Sequence, residues 1–148
     1  MGLLAAPLLS LAAACTSGRV VWSHNYDFPR GWWVEENRVT LTPDSGSVAG
    51  KKISEAVLTL RYLSEASAET LPVIVEQEWL DQGMALADTL NIKLLPDSLR
   101  SGTNSTLGLF EISLPLPTHL PVTPGWSVTL RPTTDVSGLT SITLTLKE

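Results

Sequence analysis

After residue 18 the apolar residues of this chain recur with a period of two, and no helical period is sustained over ten residues. A period of two is the repeat of a strand with one face in a core and the other in water. Trp126, Val128 and Leu130 alternate with Ser127, Thr129 and Arg131. Ile142, Leu144 and Leu146 alternate with Thr143, Thr145 and Lys147. Leu58, Leu60 and Tyr62, and again Phe110, Ile112 and Leu114, follow the same rule. Near the start, Val20, Trp22, His24, Tyr26 and Phe28 alternate with Val21, Ser23, Asn25 and Asp27. In the middle, residues 72–79 read as a strand, Asp81-Gln82-Gly83 as its turn, and Met84 to Leu94 as the return.

Further turn signals separate the remaining strand candidates: Pro43 to Gly46, Pro96-Asp97, Ser101 to Asn104, Pro124-Gly125 and Ser137-Gly138. The spacing predicts eight or nine strands, and so an all-β chain: an antiparallel β-sandwich, jelly-roll-like. The polar faces of the last two strands belong in water and their apolar faces on a shared core. Four prolines between Pro115 and Pro124 mark an edge or a crossing loop, since proline cannot donate to a ladder. Residues 44–51 and 97–106 read as the other loops. A chain of 148 residues suits one domain and can bury a core without disulfides.

Disulfides are excluded in any case, because Cys15 is the only cysteine. It follows fourteen uncharged, mostly apolar residues, which are too few to span a bilayer as a helix. Their length suits the apolar region of a secretory signal, and Ala12, Ala13 and Ala14 suit the narrow subsite of a signal peptidase. Cys15 stands where a lipobox places its lipid-accepting thiol. The expected organisation is a lipoprotein signal peptide over 1–14, a lipidated tether over 15–18 and a β-sandwich over 19–148. Two or three acyl chains on Cys15 would hold the domain stably at a membrane, each buried methylene adding about 0.8 kcal/mol. Residues 16–19 carry no acidic run.

All ten basic and fifteen acidic residues follow Cys15, and the net charge is −5. The basic residues are scattered, which argues against nucleic acid as a partner. Catalysis finds little support. His24 and His119 are far apart and have no metal-type partner at close spacing. His24 falls in the apolar phase of its strand, as a core or rim histidine does. No phosphate loop or nucleophile elbow is present. Glu35, Glu36, Glu76 and Glu78 read as solvated rather than paired for acid–base work. Asp81, Asp88 and Asp97 are dispersed rather than gathered as in a calcium loop. No catalytic residue, metal or cofactor is therefore expected. The adjacent Trp32 and Trp33 are the candidate binding surface: in extended chain they point to opposite sides, so one can enter the core while the other faces out. An outward indole suits a sugar ring or a protein partner.

The order of these features resembles the GldH family of gliding-motility lipoproteins of Bacteroidetes. The resemblance begins in the leader and its cysteine, followed by the aromatic-rich strand Arg19 to Pro29 and then Gly31-Trp32. It continues in Ala87-Asp88-Thr89-Leu90 ahead of Leu94-Leu95-Pro96-Asp97. It ends in Val122-Thr123-Pro124-Gly125-Trp126, in Ser137-Gly138-Leu139-Thr140-Ser141-Ile142, and in the closing Leu144 to Glu148. It implies a lipid-anchored, non-catalytic accessory of the cell envelope, linked to gliding and to type 9 secretion, that docks another envelope protein. In the Bacteroidetes lipoproteins that the chain resembles, the lack of an acidic run at residues 16–19 implies the outer membrane, facing the periplasm. The one functional residue it carries over is Cys15. The alternative reading is a lipid-anchored carbohydrate-binding module, with glycan as the partner.

Overall fold

The structure is a computed structural model and describes residues 18–94 and 108–148. Cys15, the leader, most of the tether and the 97–106 loop lie outside the described residues. Ten strands run in chain order: β1 (Val20–Asp27), β2 (Trp32–Trp33), β3 (Val39–Leu41), β4 (Glu55–Leu63), β5 (Thr70–Trp79), β6 (Met84–Lys93), β7 (Leu109–Pro115), β8 (Trp126–Pro132), β9 (Val136–Ser137) and β10 (Leu139–Lys147). Eight of them form two four-stranded sheets, in the orders β1-β10-β4-β7 and β3-β8-β5-β6. The short β2 and β9 pair with each other.

All the pairings are antiparallel and several are nested: β1 with β10, β3 with β8, β4 with β7, β5 with β6. Nesting of this kind, wrapped into two facing sheets, is the jelly roll. It gives the sandwich four edges, β1 and β3 on one side and β7 and β6 on the other. No helix among the described residues is long and apolar enough to cross a membrane.

The alternation read from the sequence sets the faces. Leu58, Leu60 and Tyr62 of β4, Ile142, Leu144 and Leu146 of β10, and Trp126, Val128 and Leu130 of β8 are all buried in the core. Truncating one such leucine to alanine costs about 2–5 kcal/mol. Outward residues of the first sheet form cross-strand polar pairs, such as Thr59 with Ser113 at 2.9 Å and Ser23 with Thr145 at 3.2 Å. A bulge at the start of β1 pairs Val20 with Lys147 and Trp22 with Leu146, so Val20 leaves the inward row and is exposed.

Residues 44–51 are not a plain loop. Ser45–Val48 form one helical turn, α1, which packs against β1, and Val48 is buried. Gly138 sits between β9 and β10 at φ +82°, where a Cβ would come within 2.6 Å of the Ala66 Cα. Only glycine fits that close approach.

The register also assigns the described loops to two poles. The ends of β1 and β10 at Val20 and Lys147 share a pole with the β5–β6 turn and the proline-rich β7–β8 crossing. There the Glu148 amide donates to Arg19 O at 2.9 Å and ties the residue before β1 to the residue after β10. The opposite pole holds β2, β9 and the β4–β5 loop.

Candidate functional site

Three features compete as a site, and each can be built from its residues. The first is the pole carrying β2. Pro29–Gly31 make a tight 3-10 turn in which Arg30 takes φ +57°, an uncommon conformation for a side-chain-bearing residue. The turn delivers the chain to β2, where strand alternation separates the two tryptophans. Trp33 is fully buried, its ring centroid 4.8 Å from that of Phe28 at a tilt of 31°, with its Nε1 donating to Asn37 O at 2.9 Å. Trp33 is therefore a core residue and no part of a binding surface: its indole N–H is satisfied inside, and its ring completes a cluster with Phe28 and Tyr26. Trp32 is 48% exposed, and Val34 beside it is also exposed.

The second feature is the β6–β7 side, closed by the proline-rich segment. Gln77 lies in the inward phase of β5 and is buried. Its Nε2 donates to Pro117 O at 2.7 Å, while its Oε1 accepts from Trp126 Nε1 at 3.1 Å. Trp79 Nε1 donates to Pro121 O at 3.0 Å. A buried amide and two buried indoles need these partners, and the segment's carbonyls supply them. Asp88 also faces inward, from the edge strand β6, and meets His119 Nε2 at 2.8 Å. His119 thus finds a partner that spacing could not suggest, because β6 and the crossing loop are joined only by the fold. A shallow groove of about 670 Å³ runs beside this segment, between Lys51-Lys52 and residues 118–123.

The third feature is the β1–β3 side, which stays open. A cleft of about 380 Å³ is lined by Trp22, His24, Thr40, Leu41, Thr42 and Asp44. Trp22 and His24 stack at 6.0 Å with an interplanar angle of 14°. His24 points along the inward row, as its phase required, yet it is exposed: β1 is an edge strand, and β3 opposite is too short to cover it. Among the described residues, the carboxylate of Asp44 takes no hydrogen bond and no ion pair. The Thr40 hydroxyl is engaged with Thr129 at 3.0 Å, which leaves a stacked indole, the Thr42 hydroxyl and the Asp44 carboxylate to hold a polar or cationic group.

Several of the other carboxylates are held within the fold. Glu76 lies 3.7 Å from Arg38 and 3.5 Å from Arg131 on the outer face of the second sheet. Asp81 accepts from Thr123 at 3.2 Å. Asp135 accepts the Glu35 amide at 2.8 Å. Among the described residues no group of three His, Cys, Asp or Glu could hold a metal ion. Asp97 lies outside them.

Comparison with known proteins adds little to this geometry. No family model matches the chain, and no curated protein matches it. Solved structures that superpose on it include CBM28, a carbohydrate-binding module specific for non-crystalline cellulose, with a TM-score of 0.44 and 11% identity. That match covers 84% of this chain and 73% of that one. The Eiger TNF of S. frugiperda superposes with a TM-score of 0.38 and 12% identity, over 85% and 92% of the two chains. Likeness at this level carries no functional argument; the β-sandwich rests on the strand pairing itself.

Proposed function

We propose that this chain is a lipid-anchored, non-catalytic binding module of the cell envelope, held at Cys15 and docking another envelope protein. The setting proposed is that of the gliding-motility lipoproteins its sequence resembles, at the outer membrane facing the periplasm. The observation that supports it is the polarity of the fold. Residue 18 enters the sandwich at one pole, and the exposed Trp32 stands at the other. A tether at the first pole leaves the second free to meet a partner. Val20, Met84 and Leu80, the last 73% exposed, sit at the tethered pole, where apolar side chains suit a lipid surface. The mechanism is confinement: the anchor restricts the domain to two dimensions and raises its effective concentration beside membrane partners.

The test is fractionation. Cys15→Ser, in a chain that is still exported, is expected to move the protein from membranes to the soluble fraction. Unchanged retention contradicts the anchor. A second reading, an anchored carbohydrate-binding module, draws on the exposed Trp32 and the stacked Trp22. Tight binding to a polysaccharide panel, lost in Trp32→Ala or Trp22→Ala, would favour it over protein docking.

A further inference from the structure

We infer that the outer edge of β1 is a strand-acceptor site, which takes an extended segment of a partner protein as an added β-strand. The four edges of the sandwich are not alike. β3 is three residues long. β7 stops at Pro115 and carries Glu111, held 3.0 Å from Arg61. β6 carries Asp88 on its inward face, and an inward charge on an edge opposes pairing. β1 has a bulge at its start, ends in Asp27 and is touched by α1, but its stretch from Trp22 to Tyr26 has neither a break nor an inward carboxylate. It runs for eight residues without proline, lysine or arginine, and pairs on one side only, with β10. Half of its backbone N–H and C=O groups therefore face no strand among the described residues, and Ser23, His24 and Asn25 are exposed in succession. Such a row is a template for an incoming strand.

The cleft beside β1 supplies selectivity. Residues of an added strand that lie opposite Trp22 and His24 point the same way as they do, into the cleft that ends at Asp44. Trp22 gives an apolar wall, and the exposed Asp44 carboxylate, without a partner in the chain, suits a cation. The ligand is thus an extended peptide with a lysine or arginine on its inward face. A second copy of this chain is the other possible strand. Antiparallel pairing of β1 with itself would place the two tethered poles at opposite ends, so both copies could not sit on one membrane. That choice between occupants rests on the anchored reading; the open edge itself does not.

The test uses the full chain and synthetic peptides as probes. One peptide has the eight-residue length of β1, alternating Thr and Val around a central Lys, with blocked ends. A second replaces the Lys by Thr, and a third is N-methylated at alternate residues and cannot form a ladder. Amide hydrogen exchange is read residue by residue. The Lys peptide is expected to protect β1 amides saturably and to leave β6 unchanged. The N-methylated peptide is expected to do nothing. Asp44→Asn should weaken the Lys peptide about tenfold and leave the Thr peptide unaltered. His24→Lys should abolish both, and because His24 is exposed the variant should fold as the parent does.

Protection of β6 instead of β1, binding by the N-methylated peptide, or the same protection produced by cello-oligosaccharides would overturn the inference. So would a β1-dependent dimer of the free chain. Failure of the Cys15→Ser fractionation, with peptide protection intact, would remove the anchor and leave the strand-acceptor site standing.

Discussion

The two long sides of this sandwich begin from the same ingredients and end differently. Each has two edge strands whose inward residues reach the gap between the sheets. On the β6–β7 side the gap is sealed. Trp126 donates to Gln77, Gln77 donates to the Pro117 carbonyl, Trp79 donates to the Pro121 carbonyl, and Asp88 is met by His119. On the β1–β3 side the gap is open. Trp22 and His24 cover each other, and Asp44 has no partner among the described residues. Both sides hold tryptophan, an acid and a histidine; only on the sealed side are their polar atoms satisfied by the chain itself. A side so satisfied holds the fold. A side left unsatisfied is available to a ligand.

That contrast makes stability and recognition separable, and it can be broken by mutation. Trp126→Ala should be the most damaging change, at about 3–5 kcal/mol in urea unfolding, because it opens a cavity and orphans Gln77. A loss below about 1 kcal/mol would mean that the sealed side does not carry the core. Gln77→Ala should follow at about 1–3 kcal/mol, since it strands the Trp126 N–H and frees the Pro117 carbonyl. Gly138→Ala should cost a similar amount, from its positive φ and the Ala66 backbone it would meet. The His119–Asp88 pair is half exposed, so a double-mutant cycle should give no more than about 1 kcal/mol. Asp44→Asn on the open side should shift stability by less than about 0.5 kcal/mol, because its carboxylate bonds to nothing in the chain. A larger loss there would show that the open side is structural as well.

Much of this architecture was legible in the residues. The phase of alternation placed Leu144 and Trp126 inward, and Gly83 with Asp81 marked the central hairpin correctly. The split of Trp32 from Trp33 also followed from alternation, though not which of the two would be covered. Phase reports a face; it does not report whether a strand lies at the centre or the edge of its sheet. His24 and Leu144 share a face and pair with each other, yet Leu144 is buried beneath neighbours on both sides and His24 has a neighbour on one. That difference depends on β1 joining β10 across nearly the whole chain, which local pattern cannot show. The Asp88–His119 contact was illegible for the same reason. Gln77 was a signal within reach: a polar residue in the buried phase, between Val75 and Trp79, had to find partners somewhere. Val48, read as part of a loop, is carried into the core by the one-turn helix α1.

The account turns on β1 being an open edge, and amide hydrogen exchange on the free, full-length chain measures that directly. Along β1, amides bonded to β10 should be protected as strongly as those of the central strands. Those that alternate with them should exchange at nearly the rate of unstructured chain. Uniform protection along the whole of β1 would mean that the edge is already covered, and would contradict the account.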